Sequence, residues 1–259
     1  MGVNNGILKE DEFVYYLNCQ KASELSPNLK NMLVPLFGIV DGRKEISCEK
    51  TVNRIKPDII IKHRGIEKAV SLKTGSSQVL HGEQIKPFVL FLRSLGVSNR
   101  TQQTFLLFLY GDGTMDGTGK ERMRFQKIMY WLSDRIEEAN KELNSNKDLI
   151  LKFIDRVVFQ GVDPEARSAD AIYHGDVNSG VLVTKEQIMK HIMRKDWNKW
   201  DMLHIGPIIF AATNRYVGKE IKNEKKRSTI QCYWPHLMAD LEFISRNYHY
   251  YSSPYNSVL

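Results

Sequence analysis

The sequence predicts a mixed α/β protein in which a central mixed β-sheet is flanked by helices. Three observations carry this expectation. Two β-rich runs, Ile59 to His63 and Ile66 to Lys73, flank an Arg64-Gly65 turn and read as a hairpin. Helical stretches with caps or an apolar stripe stand on both sides of it. Further short apolar runs of strand type recur at 104–110, 156–160, 169–174, 181–184 and 205–213.

In chain order, residues 10–37 read as helix. Phe13, Tyr16 and Leu17 follow helical spacing, and Ser26-Pro27 offers an N-cap and a first-turn proline for a second helix through Leu36. Residues 45–52 read as a first strand leading into the hairpin. A Thr74-Gly75-Ser76-Ser77 loop follows, then a helix from about Glu83 to Leu95. Phe88, Val89, Leu90, Phe91, Leu92 and Leu95 leave that helix almost no polar face, Pro87 falls in its first turn, and Gly96 stops it. The run 104–110 reads as a central, doubly covered strand. The Gly-rich stretch 111–120 reads as a loop. It is no P-loop, since Thr114 stands where Gly is needed and Glu121 where Ser or Thr is needed. Nor is it an EF-hand, since Met123 stands where the bidentate Glu belongs.

Residues 121–143 form the clearest amphipathic helix, with Phe125, Ile128, Met129, Leu132, Ile136, Ala139 and Leu143 in one stripe. A shorter helical stretch covers 147–153. Thr184 to Gln187 matches a capping box that opens a helix through Lys195. The stretch from Arg215 turns basic, and the tail from Tyr248 to Tyr255 is rich in aromatics. No repeat, low-complexity segment or clear linker divides the 259 residues, so one domain is expected.

Composition bounds the class. Hydrophobic content of 42% and charged content of 26% are those of an ordinary globular protein. Net charge +7 and a pI near 9.2 suit a polyanionic partner. No run approaches 18 apolar residues, so no membrane span is expected. Residues 1–6 lack the basic-then-apolar layout of a signal peptide, and Gly6 breaks the myristoylation pattern that Gly2 invites. Cys19, Cys48 and Cys232 are odd in number and widely spaced, which fits a reducing cytoplasm and no zinc site.

The hairpin concentrates the chemistry. With a two-residue loop, His63 pairs with Ile66 and Asp58 falls opposite Ser71; a three-residue loop sends Asp58 to the apolar face. Alternation then places Ala69, Ser71 and Lys73 on one face and Val70 and Leu72 on the other. Directly opposite residues stand about 5 Å apart and diagonal ones about 7–8 Å, so Asp58 and Lys73 share a face within reach of one ion or phosphate.

Pro57-Asp58, a hairpin and Ser71-Leu72-Lys73 together resemble the core of the PD-(D/E)XK nuclease superfamily, which includes most type II restriction endonucleases. There an Asp is followed, across the hairpin, by an acidic residue, any residue and Lys. Here Ser71 stands at the acidic position. A subset of restriction enzymes carries Ser there and the acidic residue on the following helix, where Glu83 is the matching candidate; Glu24, on a helix before the hairpin, and Glu67 are the alternatives. The resemblance covers about thirty residues. It implies a restriction-endonuclease-like fold with a catalytic core over about 10–150 and a DNA-recognition or dimerisation elaboration over 151–259. It further implies Mg²⁺ held by Asp58, Glu83 and the Leu72 carbonyl, with Lys73 orienting water and Ser71 in support. No organic cofactor is expected.

The implied function is Mg²⁺-dependent, sequence-specific hydrolysis of double-stranded DNA by a cytoplasmic homodimer, giving 5′-phosphate ends. Gln84, Lys199, Arg215, Lys219, Lys222, Lys225, Lys226 and Arg227 are the candidate DNA contacts. A junction resolvase or repair nuclease of the same fold, or a DNA-binding module with a decayed nuclease core, are the competing readings. Signatures of other nuclease and hydrolase chemistries, including HExxH and GxSxG, are absent.

Overall fold

The computed structural model describes residues 5–18, 20–51, 56–73, 78–119, 122–197, 202–212 and 228–248. The chain packs into two compact units, each built from separated stretches: Met1–Ser77, Phe159–His191 and Leu237–Leu259 in the first, Gln78–Val158 and Ile192–His236 in the second. Each unit carries its own sheet.

The first unit holds α1 (Asn5–Leu17), β1 (Gln20–Lys21), α2 (Pro27–Phe37), β2 (Glu45–Lys50), β3 (Ile59–His63) and β4 (Ile66–Lys73). It also holds β6 (Ala171–Gly175), β7 (Gly180–Thr184), most of α8 (Lys185–Arg194), and α9 (Leu237–Asn247). Among the described residues its strands run in the order β1-β2-β3-β4-β6-β7. Only β4 and β6 pair in parallel, so the sheet is mixed. Phe13 and Leu17 of α1, Leu29, Met32, Leu33 and Leu36 of α2, and Ile59, Ile61, Val70, Leu72, Ala171 and Tyr173 of the sheet form one apolar core. Local chemistry sets these elements. The Ser26 hydroxyl accepts from Leu29 N at 3.3 Å with Pro27 in the first turn of α2, as expected. Thr184 and Gln187 cap each other reciprocally at the start of α8, with Gln187 Oε1 accepting from Thr184 N at 2.9 Å. Arg64 and Gly65 have φ 53° and 76°, the pair of positive values that a type I′ two-residue turn requires. His63 accordingly pairs with Ile66 and Ile59 with Val70, the register expected from the sequence.

The β6–β7 turn is tighter. Gly175 has φ 140°, and a Cβ there would collide with the Ser179 carbonyl oxygen, whereas a Cβ on Gly65 would meet nothing within 4 Å. Gly175→Ala is therefore expected to lower the free energy of unfolding, read from a urea titration, by roughly 2–3 kcal/mol and Gly65→Ala by about 1 kcal/mol. Equal losses in the two variants count against this account of the turn.

The second unit holds β5 (Val79–Gln84), α3 (Ile85–Ser94), α4 (Asn99–Tyr110), α5 (Phe125–Trp131), α6 (Ser133–Ser145), α7 (Lys147–Ile154), β8 (His204–Ile205), β9 (Ile208–Ala212) and β10 (Thr229–Tyr233). Its sheet order is β5-β10-β9-β8, all antiparallel. Phe88, Phe105, Phe153 and Phe210 meet edge-on or tilted in its core, the closest pair with ring centroids 4.9 Å apart.

Four expectations are corrected. Residues 104–110 are the buried end of helix α4, not a strand. Ser98 caps the helix, the Glu142 carboxylate holds Ser98 N at 2.6 Å, and Gly111 ends it in the left-handed conformation. A short apolar run is compatible with either element, and here the caps decide. Residues 156–160, buried over Val157 to Phe159, belong to a π-helical turn, Asp155–Gln160, that continues α7. The stretch 121–143 is two helices parted at Leu132, whose φ −104° and ψ 10° leave the helical region. Finally, Glu83 opens no helix: it is the penultimate residue of β5, opposite Ile230, and α3 begins two residues later. Only Ile85, Phe88 and Leu92 of α3 are fully buried, and Leu90 is exposed.

Candidate functional site

Asp58 sits where β3 ceases to pair with β4. Pro57, which cannot donate to the ladder, precedes it, and the Pro57 carbonyl accepts from Thr51 Oγ1 at 2.6 Å. Asp58 N donates to the Val70 carbonyl at 2.9 Å. Its carboxylate then replaces the missing strand: Oδ2 accepts from Leu72 N at 2.6 Å and from Ser71 Oγ at 3.1 Å. Both are charge-assisted bonds that hold the carboxylate in one orientation. Among the described residues, Oδ1 takes no hydrogen bond.

The N–H and C=O of one strand residue leave on the same side, and successive residues alternate. Because Val70 bonds toward β3, Leu72 two residues on turns its carbonyl to the Asp58 side as well. Val70 and Leu72 place their side chains in the apolar core, so Ser71 and Lys73 point to the opposite face. Ser71 is 0% exposed, and its hydroxyl serves Asp58. Lys73 is half-buried and makes no ion pair among the described residues. Lys73 also lies level with His174 of the parallel strand β6.

The other acidic candidates have contacts of their own. Glu67 is six residues back along β4, roughly 20 Å from Lys73 at strand rise, and is engaged by Lys62 at 3.0 Å and Arg167 at 2.8 Å. Glu24 is in the turn between β1 and α2 rather than on a helix, exposed, with Oε2 accepting from Lys21 N at 3.3 Å. That turn follows the edge strand, three strand spacings or about 14 Å across the sheet from β4. Glu83 belongs to the second unit, where its side chain is 3% exposed. Its Oε2 accepts from Arg156 at 2.7 Å, its Oε1 faces His81 Nε2 at 3.3 Å, and the Arg156 guanidinium also lies over the Phe91 ring at 4.4 Å. Burial raises the Glu83 pKa, but the contacts from His81 and Arg156 outweigh it and leave the carboxyl below its usual value. Gln84 bonds to Thr229 Oγ1 at 3.1 Å and accepts from Ser228 Oγ at 2.8 Å. Lys199, Arg215, Lys219, Lys222, Lys225, Lys226 and Arg227 lie outside the described residues.

Among the described residues, no three His, Cys, Asp or Glu side chains come together to cage a metal ion. Mg²⁺ asks for less: hard oxygen donors, one or two carboxylates, and retained waters. The Asp58 carboxylate and the Leu72 carbonyl are donors of that kind on one side of the sheet, so they fit one flank of a Mg²⁺ site. No helix among the described residues is long and apolar enough to cross a membrane.

No protein-family profile matches the sequence, nor does any curated protein. Among solved structures, the chain is similar to a crystal structure of restriction endonuclease MspI in complex with its cognate DNA, at 10% sequence identity and a TM-score of 0.51, over 79% of this chain and 76% of that one. At that identity the likeness is one of fold. The chain thus has a restriction-endonuclease-like mixed α/β fold, the architecture that the hairpin and its Asp58–Lys73 face led us to expect.

Proposed function

We propose that the protein is a type II restriction endonuclease that hydrolyses double-stranded DNA at specific sites with Mg²⁺, leaving 5′-phosphate ends. The observation that carries this reading is the Asp58 carboxylate, fixed by Ser71 and Leu72 on the face where Lys73 emerges without an ion pair among the described residues, in a fold like that of a restriction endonuclease. A phosphodiester resists attack because its negative charge repels nucleophiles and its alkoxide leaves reluctantly. Mg²⁺, when bound, polarises the phosphate and acidifies a coordinated water. Asp58 and the Leu72 carbonyl would hold the ion. Lys73 offsets the charge that builds on the phosphoryl oxygens. Ser71, buried and donating to Asp58, orients the carboxylate rather than replacing one. Because Glu83 is engaged by Arg156 and His81, we assign it to the frame of its own unit, and the second carboxylate stays unassigned. The basic stretch from Arg215 to Arg227 supplies phosphate contacts, and a homodimer matches the two-fold symmetry of a palindromic site.

Ser71 at the acidic position, and the lack among the described residues of any group of three His, Cys, Asp or Glu side chains able to hold a metal, also favour a second reading, a DNA-binding module whose nuclease core has decayed. Incubation of the purified protein with unmethylated phage DNA and Mg²⁺ separates the two. Discrete fragments that vanish with a chelator establish the restriction reading. Unbanded degradation points to a repair nuclease instead, and DNA binding with no cleavage to the decayed core.

A further inference from the structure

Lys73 has a neighbour that no local motif announces. Strands β4 and β6 are parallel, with Leu72 level with Tyr173 and Lys73 level with His174. Val70, Leu72, Ala171 and Tyr173 share the apolar core, so Ser71, Lys73, Ile172 and His174 point the other way. Neighbouring strands lie about 4.8 Å apart, so the His174 side chain leaves its strand beside that of Lys73, on the face of the Asp58 carboxylate.

Two buried histidines, His63 and His204, commit both ring nitrogens to the backbone. His63 Nε2 accepts from Asp41 N at 3.3 Å, and its Nδ1 faces the Glu45 carbonyl at 3.4 Å. His204 sets Nδ1 3.1 Å from the Met202 carbonyl and Nε2 2.6 Å from that of Trp197. His174 does neither. Its ring is half-buried, and its Nδ1 is buried without a hydrogen-bond partner among the described residues. Its backbone position is nonetheless held firmly. Tyr173 Oη donates to the Asp176 carbonyl at 2.6 Å and accepts from Asn28 Nδ2 at 2.9 Å. Asp176 Oδ1 accepts from Asn178 N and Ser179 N, and Gly175 and Gly180 leave no room for a Cβ. A fixed strand end therefore sets side by side a histidine and a lysine, neither of which has a side-chain partner among the described residues. Lysine has no acceptor and the two groups do not bond each other, so what suits both at once is an anion.

We infer that His174 is a further substrate-contacting residue, whose imidazole N–H donates to a phosphoryl oxygen of the DNA beside Lys73. The inference rests on the nuclease reading above. It is tested by kcat and KM for Mg²⁺-dependent cleavage of phage DNA by wild type, His174→Ala and His174→Gln, with melting temperatures, and by the imidazole ¹⁵N resonances on adding mixed-sequence duplex without metal. The expected result is a loss of about 10–100-fold in kcat/KM for His174→Ala, the size of one hydrogen bond to a charged group. Partial recovery with His174→Gln, which keeps an N–H donor, and unchanged melting are expected alongside. The His174 resonance should move with DNA while those of His63 and His204 stay. Wild-type cleavage with His174→Ala equally active and the His174 resonance unmoved would overturn this inference alone. Absence of both cleavage and binding in wild type overturns the nuclease reading itself. Should both variants unfold, the wild-type resonance decides: a shift supports the contact, and a still signal refutes it.

Discussion

Lys73→Ala is expected to slow Mg²⁺-dependent DNA cleavage by about 10²–10³-fold, with little change in melting temperature. Lys73 is half-buried at the end of β4 and has no ion pair among the described residues, so its removal strands no partner among them. On the nuclease reading proposed above, what is lost is a positive charge beside the phosphoryl oxygens that gain negative charge. Asp58→Asn is expected to be at least as damaging to cleavage, because the amide keeps an oxygen for Leu72 N and Ser71 Oγ but forfeits the charge. Asp58→Ala differs from both, since it also leaves the Leu72 N–H and the buried Ser71 hydroxyl unsatisfied, at about 1–3 kcal/mol of stability. Single-turnover cleavage beside thermal melts checks the set. Wild-type rates in Asp58→Asn would remove the carboxylate from the chemistry.

Glu83→Ala should destabilise the protein by about 3–5 kcal/mol, because it breaks a largely buried ion pair with Arg156. Glu83→Gln should cost less, since an amide oxygen still accepts from Arg156. The same pairing makes stability depend on pH. The Glu83 carboxyl is raised by burial and lowered further by His81 and Arg156, so its folded pKa lies below its value of 4.5 when unfolded. The contribution is complete above about pH 4.5 and is lost as the pH falls through the folded value, where the native state must take up a proton against its ion pair. Urea unfolding of wild type should weaken below that pH, and Glu83→Gln should lack this component. A Glu83→Gln protein as stable as wild type but inactive would instead return Glu83 to the metal site.

What the sequence alone determined lies within short windows. Arg64-Gly65 encodes the hairpin register through the positive φ of two adjacent residues, and that register brings Asp58 to Ser71 and Leu72. Ser26-Pro27 and the Thr184–Gln187 capping box set two helix starts through bonds spanning three residues. These signals are local steric and hydrogen-bonding facts, so a window of residues contains all of them. Tertiary structure decided the rest. Glu83 sits in a strand because β5 pairs with β10, some 150 residues later, where Glu83 stands opposite Ile230. Nothing within a few residues of Glu83 distinguishes that strand end from a helix start. Phe105 to Tyr110 is helical because Ser98 is held by Glu142 from α6, although the run itself fits either element. His174 reaches Lys73 through a parallel pairing that spans a hundred residues. Parallel strands cannot be joined by a tight turn, so their register depends on which apolar faces are buried together. That choice belongs to the whole fold, which is why the carboxylate and the ammonium were legible in the sequence and the imidazole beside them was not.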